Sequence, residues 1–259
     1  MNDIKNNDLS VQCDQFVATV TILRSPHNHL DAQLVAQLAD AFEKLDEDSK
    51  CRTIVVAAEG KSFCAGADFS KPREGGTIVR SGGNIYKQAA RLFRTRKPII
   101  AAVHGAAIGG GLGLAMMADF RVTCDQARFS ANFTRLGTHP GFGLTATLPR
   151  AIGHQQTALL IYTGRRISGA EAVRIGLADV LVQQSEVGHA AWQLAKEIAA
   201  SAPKSVMSVR ETLRRGLAEE VERATERELT EQSWQFLMDD FKEGSAAMLQ
   251  RVMPNFRGQ

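Results

Sequence analysis

The sequence has no C-x-x-C pair. Its four cysteines, Cys13, Cys51, Cys64 and Cys124, lie far apart, which excludes a zinc knuckle or dithiol redox motif and reads as free thiols in a reducing cytoplasm. No charge of one sign dominates either: 31 basic and 28 acidic residues give +3. That balance argues against nucleic acid as partner but leaves room for a small basic patch facing a phosphate. The polar first ten residues lack the apolar run of a signal peptide. With 44% hydrophobic and 23% charged residues over 259 positions, the chain is neither disordered nor fibrous. It is long enough for one large domain or two small ones.

Common catalytic motifs are missing as well. H-E-x-x-H and G-x-S-x-G do not occur. The glycine run over 109–113 lacks the last glycine of a dinucleotide fingerprint, since Leu114 and Met116 follow it. Gly60-Lys61-Ser62 lacks the earlier glycine of a phosphate loop, a position held by Val55. Nicotinamide, ATP and serine-hydrolase chemistry have no support.

Hydrophobic patterning is present throughout. Residues 99–118 form an apolar stretch broken only by His104 and glycines, long enough to cross a bilayer. The consecutive Gly109, Gly110 and Gly111 would weaken a helix at its middle, so a buried strand, a glycine turn and a buried helix are expected instead. Further strands are expected over 16–23, 53–58 and 120–124. A helix capped by Asp31 should bury Leu34, Leu38, Phe42 and Leu45. Residues 60–83 read as an aperiodic loop. Helices are expected over 152–161, 169–175 and 187–199, and the charge-dense stretch 219–231 reads as a solvated helix face. Strand–helix units thus precede a helical C-terminal layer.

Two glycine-bearing turns each follow a buried strand, Ser62 through Asp68 and His104 through Gly111. Small residues there let backbone N–H groups approach a ligand and form an oxyanion hole, or simply allow tight packing. Spacing alone leaves both readings open.

These segments carry a resemblance. Glu59-Gly60-Lys61-Ser62-Phe63-Cys64-Ala65-Gly66-Ala67-Asp68, Lys97-Pro98-Ile99-Ile100-Ala101-Ala102-Val103-His104-Gly105 and Ile108-Gly109-Gly110-Gly111 are three of them. Ala115-Met116-Met117-Ala118-Asp119, Pro140-Gly141-Phe142-Gly143 and Lys242-Glu243-Gly244 continue in the same order. Over nearly its whole length the chain resembles the crotonase, or enoyl-CoA hydratase/isomerase, superfamily. The resemblance implies an α/β fold, a spiral of ββα units over residues 1–200 carrying an acyl-CoA site. It also implies a helical oligomerisation region over 201–259 and a homotrimer or homohexamer. No separate cofactor or metal is implied, because coenzyme A enters as part of the substrate. Neither nucleic acid nor membrane is an expected partner. Ala67 and Gly110 match the family's oxyanion-hole residues, and Ala65, Gly66 and Gly109 fall on the same CoA-binding turns. Arg251 matches a basic position that contacts CoA phosphates from a neighbouring subunit, while Met248 replaces an aromatic residue that packs on adenine.

The departure lies in the acids. Family hydratases use two glutamates, and the matching positions here are Gly113 and Phe133. Each general acid or base contributes roughly 10²–10⁴ in rate, so ordinary hydration should be severely impaired. The dehalogenase branch has an aspartate where this chain has Gly141. His139, in the loop before Pro140, His29 in Asn28-His29-Leu30, and Asp68 beside Ala67 are the candidate substitutes. His104 reads as a hydrogen-bonded structural histidine. The resulting expectation is a thioester-transforming enzyme of the hydratase/isomerase type. A CoA-thioester decarboxylase or hydrolase, or a non-catalytic acyl-CoA-binding protein, are the alternatives.

Overall fold

Short β-branched and alanine-rich runs set the architecture, because strands buried on both faces need no polar alternation. The computed structural model describes residues 4–5, 8–68 and 77–259, with side chains placed over 8–68 and 85–259. The N-terminal strands are β1 (Ile4–Lys5), β2 (Leu9–Asp14) and β3 (Val17–Ile22), followed by α1 (Ala32–Glu47). Three strand–strand–helix units come next. They are β4 (Thr53–Ala58), β5 (Ser62–Cys64) and α2 (Thr77–Phe93); β6 (Ile99–Val103), β7 (Ala106–Ile108) and α3 (Gly110–Met116); and β8 (Phe120–Thr123), β9 (Arg128–Ser130) and α4 (Leu144–Thr163). The chain continues through β10 (Ile167–Ser168), α5 (Gly169–Arg174) and β11 (Val180–Leu181). It closes with α6 (Val187–Ala199), α7 (Pro203–Leu213), α8 (Leu217–Gln235) and α9 (Asp239–Gln250).

In each unit the first strand joins a seven-stranded sheet of order β1-β2-β3-β4-β6-β8-β11 and the second joins a four-stranded sheet, β10-β9-β7-β5. From β3 onward the large sheet is parallel, and so are β5, β7 and β9. This is the ββα spiral that the resemblance implies. Residues 99–118 resolve into β6, β7 and α3, and among the described residues no helix is long and apolar enough to cross a membrane. The expected cap of α1 forms, with Asp31 accepting the Leu34 N–H at 2.8 Å while Leu34, Leu38, Phe42 and Leu45 are buried.

Three expectations need correction. The loop over 60–83 contains β5, too short to show alternation, and α2 begins inside it at Thr77. The helix expected over 152–161 is the second limb of α4, which breaks its helical backbone at Gly153 (φ +75°, ψ 164°). The charge-dense 219–231 stretch is not simply solvated: α8 buries Leu217, Val221, Thr225, Glu228 and Gln232 at helical spacing. That stripe starts apolar and ends polar, and its polar end bonds the loop over 139–145.

Candidate active site

Parallel pairing of β5 with β7, Ser62 opposite Ala106 and Cys64 opposite Ala107, brings the two following turns side by side. Gly66 has φ +78°, and a Cβ built on it would lie 2.6 Å from the Ile108 carbonyl oxygen and 3.6 Å from the Gly110 nitrogen. Only glycine fits there. Neighbouring main chain fixes the turns: Leu30 N–H donates to Gly66 O (2.8 Å), Ala65 N–H to His27 O (3.0 Å) and Gly109 N–H to Ser130 O (2.9 Å). Gly110 opens α3, so its N–H has no intrahelical acceptor. Among the described residues neither the Ala67 nor the Gly110 N–H donates a hydrogen bond. Two uncommitted amides on adjoining turns suit a developing oxyanion.

The opposite wall is aromatic. A Cβ on Gly113 would lie 2.6–2.8 Å from the Cβ, Cδ1 and Cγ of Phe142, whose Cδ2 also lies 3.9 Å from the Cβ position of Gly110. Phe142 is fully buried, and it adopts φ +61°. A left-handed conformation costs a residue with a side chain roughly 1–2 kcal/mol, so the surrounding packing holds this ring in place. Phe133 Cζ lies 3.7 Å from the Cβ position of Gly109, and Leu30 Cδ2 lies 3.2 Å from that of Gly110. The space beside Gly113 is therefore filled, and the Phe133 ring stands beside Gly109.

Behind this wall α8 holds the loop over 139–145. The Glu228 carboxylate accepts the Gly143 N–H (2.8 Å), the Thr145 N–H (3.1 Å) and the Thr145 hydroxyl (2.6 Å). Burial nevertheless pushes its pKa above the ordinary glutamate value, against those hydrogen bonds and the nearby His139. One turn on, the Gln232 amide donates to the His139 carbonyl (2.8 Å) and the Pro140 carbonyl (3.2 Å) and accepts the Tyr86 hydroxyl at 2.6 Å. Burial first, and the Glu228 charge second, raise the Tyr86 phenol above its usual pKa.

The residues singled out in the sequence fall into two groups. Ala65, Gly66, Ala67, Asp68, Gly109 and Gly110 lie on the adjoining turns, and His29 Nδ1 stands 3.3 Å from the Gly66 carbonyl oxygen. His139 is not on that face of the loop. Its Nδ1 lies 2.9 Å from the Pro140 carbonyl oxygen, and it lines a separate cavity of about 600 Å³ with His154, Tyr162 and Trp234. Arg251, at φ +58°, ends α9 and is exposed. His104 hydrogen-bonds the Gly60 carbonyl through Nε2 at 3.0 Å, as a structural histidine does. Sequence reasoning missed Phe142, Tyr86, Gln232 and Glu228. The motif containing Phe142 was visible, but its contact with Gly113 depends on tertiary structure.

The double-sheet spiral with adjoining glycine turns defines a crotonase-type fold. A solved enoyl-CoA hydratase/isomerase from Pseudoalteromonas atlantica superposes with a TM-score of 0.86 at 30% identity, covering 96% of this chain and 100% of that one. The family model for enoyl-CoA hydratase/isomerase matches residues 12–259. A probable enoyl-CoA hydratase of Bacillus subtilis is 34% identical over 98% of this chain and 100% of its own length. The (E)-benzylidenesuccinyl-CoA hydratase of Thauera aromatica is 33% identical over 96% of this chain and 99% of its own. The chain belongs to the enoyl-CoA hydratase/isomerase family.

Proposed function

We propose that the protein transforms an acyl-CoA thioester, with the Ala67 and Gly110 N–H groups binding the thioester oxygen and stabilising an enolate. Ala65, Gly66 and Gly109 would line the CoA path, and Arg251 would meet its phosphates across a subunit boundary in a cytoplasmic homotrimer or homohexamer. One observation carries the choice of reaction: Phe142 fills the space at Gly113, and Phe133 places a ring at the other acid position. A site with free amides and, among the described residues, no carboxylate pair favours a reaction that makes its enolate without a base. Loss of carbon dioxide from a malonyl-type thioester does so, and an apolar wall aids it by stripping water from the departing carboxylate. Thioester hydrolysis fits less well, because it needs an activated water.

Hydration is the second reading, favoured by the hydratase names of the relatives. Here His29, Asp68 or His139 would have to move the proton, and His29 is the one whose ring reaches the oxyanion turn. Incubation with enoyl-, 3-oxo- and malonyl-type CoA thioesters, followed by mass, separates the two. Loss of carbon dioxide is expected. Gain of water that is lost in His29→Ala would establish hydration instead, and tight binding without turnover would leave an acyl-CoA-binding protein.

A further inference from the structure

We infer that Asn28 is a positioning residue for the oxyanion hole. Its side-chain amide clamps the loop over 26–30 against β5, and that loop aims the Ala67 N–H and braces Gly110. The inference rests on the thioester reading above. The loop runs beside residues 59–66 and pairs with them through main chain. Lys61 N–H donates to the Pro26 carbonyl (2.9 Å), Ala65 N–H to the His27 carbonyl (3.0 Å) and Leu30 N–H to the Gly66 carbonyl (2.8 Å). The Asn28 N–H takes no part, because it turns back to the Arg24 carbonyl at 2.9 Å. Its side chain does so instead. Nδ2 donates to the Glu59 and Ser62 carbonyls, each at 2.7 Å, which uses both of its protons.

The residue sits there against two local penalties. Asn28 is fully buried at φ +52°, and among the described residues its Oδ1 accepts no hydrogen bond. A left-handed backbone and an unpaired buried acceptor are both unfavourable, and such features persist where the surrounding structure over-determines them. What the two Nδ2 bonds secure lies two residues further on, at Leu30.

Leu30 reaches both oxyanion donors. The peptide joining Gly66 to Ala67 is trans, so its carbonyl and its N–H point in opposite directions. The Leu30 N–H that holds the Gly66 oxygen therefore sets the direction of the Ala67 N–H. The Leu30 side chain meets the other donor, with Cδ2 3.2 Å from the Cβ position of Gly110. Main chain at one turn and side chain at the other tie the two amides to a single loop, and Asn28 keeps that loop in register.

The carbonyl of a bound thioester reports the result directly. Wild type and Asn28→Gly are each saturated with acetyl-CoA carrying ¹³C at the thioester carbonyl, and the C=O stretch is read by isotope-edited infrared difference spectroscopy. Glycine keeps the left-handed backbone and deletes only the clamp. Two N–H donors weaken the C=O bond, so the wild-type band is expected below that of free acetyl-CoA. In Asn28→Gly the band should return toward the free value, and kcat on the active thioester should fall about 10- to 100-fold, less than outright loss of a donor. An unchanged kcat overturns the assignment. So does a slower variant whose bound carbonyl is polarised as in wild type, since that is what a merely structural asparagine gives. If Asn28→Gly does not fold, Asn28→Asp carries the test. Its carboxyl donates to one carbonyl when protonated and repels both when ionised, so its band should move toward the free value between about pH 5 and about pH 8, and a band that stays fixed overturns the assignment. No displacement of the wild-type band would instead remove the oxyanion reading itself, and the role of Asn28 with it.

Discussion

The two walls of the site are built from different material. The ends of β5 and β7 present main-chain amides, held by hydrogen bonds from Leu30, Ala65 and Gly109. Residues 132–143 present side chains, Phe133 and Phe142, with Tyr86 and Gln232 behind them. The contrast teaches which functions survive a change of sequence. An amide donor needs only small residues and a close approach, so it persists whatever the side chains become. A general acid or base needs one residue type at one place, and Gly113 and Phe133 carry no carboxylate. On the function proposed above, stabilising negative charge and moving protons are therefore separable tasks.

The largest effect should come from moving an amide. Gly66→Ala adds a Cβ 2.6 Å from the Ile108 carbonyl at φ +78°, and so must displace the Ala67 N–H. Loss of one oxyanion donor costs about 10²–10³ in kcat. Steady-state turnover on the active thioester, with folding checked by circular dichroism, measures it. An unchanged kcat would detach the turns from the chemistry.

A smaller effect should appear on the other wall. Gly113→Glu alone should not fit, because its Cβ would fall 2.6 Å from Phe142. Overpacking of this kind costs about 1–3 kcal/mol. Adding Phe142→Ala should make room for the glutamate, so urea midpoints of the two single variants and the double variant should show favourable coupling. Additive losses would mean that Phe142 does not occupy the space for the carboxylate.

The smallest effect concerns Glu228. Its pKa is raised above the ordinary 4.5 in the folded protein, so the native state binds more protons than the unfolded state between the two values. Stability should therefore fall as pH rises from about 4.5 through the raised value. Glu228→Gln should flatten that slope in chemical denaturation across pH 4.5–8. An equally steep slope in the variant would assign the titration to another group.

Much of this was legible beforehand, for identifiable reasons. Residues 53–58 and the Asp31 cap announce themselves by local chemistry, and the two glycine turns by composition. The lack of a carboxylate at positions 113 and 133 was equally plain, but what packs at Gly113 was not. Phe142 meets Gly113, and Tyr86 meets Gly141, across residue separations that no local pattern encodes. Glu228 and Gln232 were hidden differently, inside a charge-dense helix whose buried stripe turns polar where it meets the loop over 139–145. His139, chosen for its nearness in sequence, faces the cavity with His154 and Trp234, since one loop can present successive residues to opposite sides.

The most direct test of the separation between charge stabilisation and proton transfer is a paired rate measurement on one wild-type preparation. Methylmalonyl-CoA and crotonyl-CoA are supplied in parallel at equal concentration, and both products are followed by mass. The account predicts propionyl-CoA at an enzyme-like rate with little or no hydrated crotonyl-CoA. Rapid hydration with no release of carbon dioxide would contradict it, and would show that protons are moved efficiently without the two glutamates.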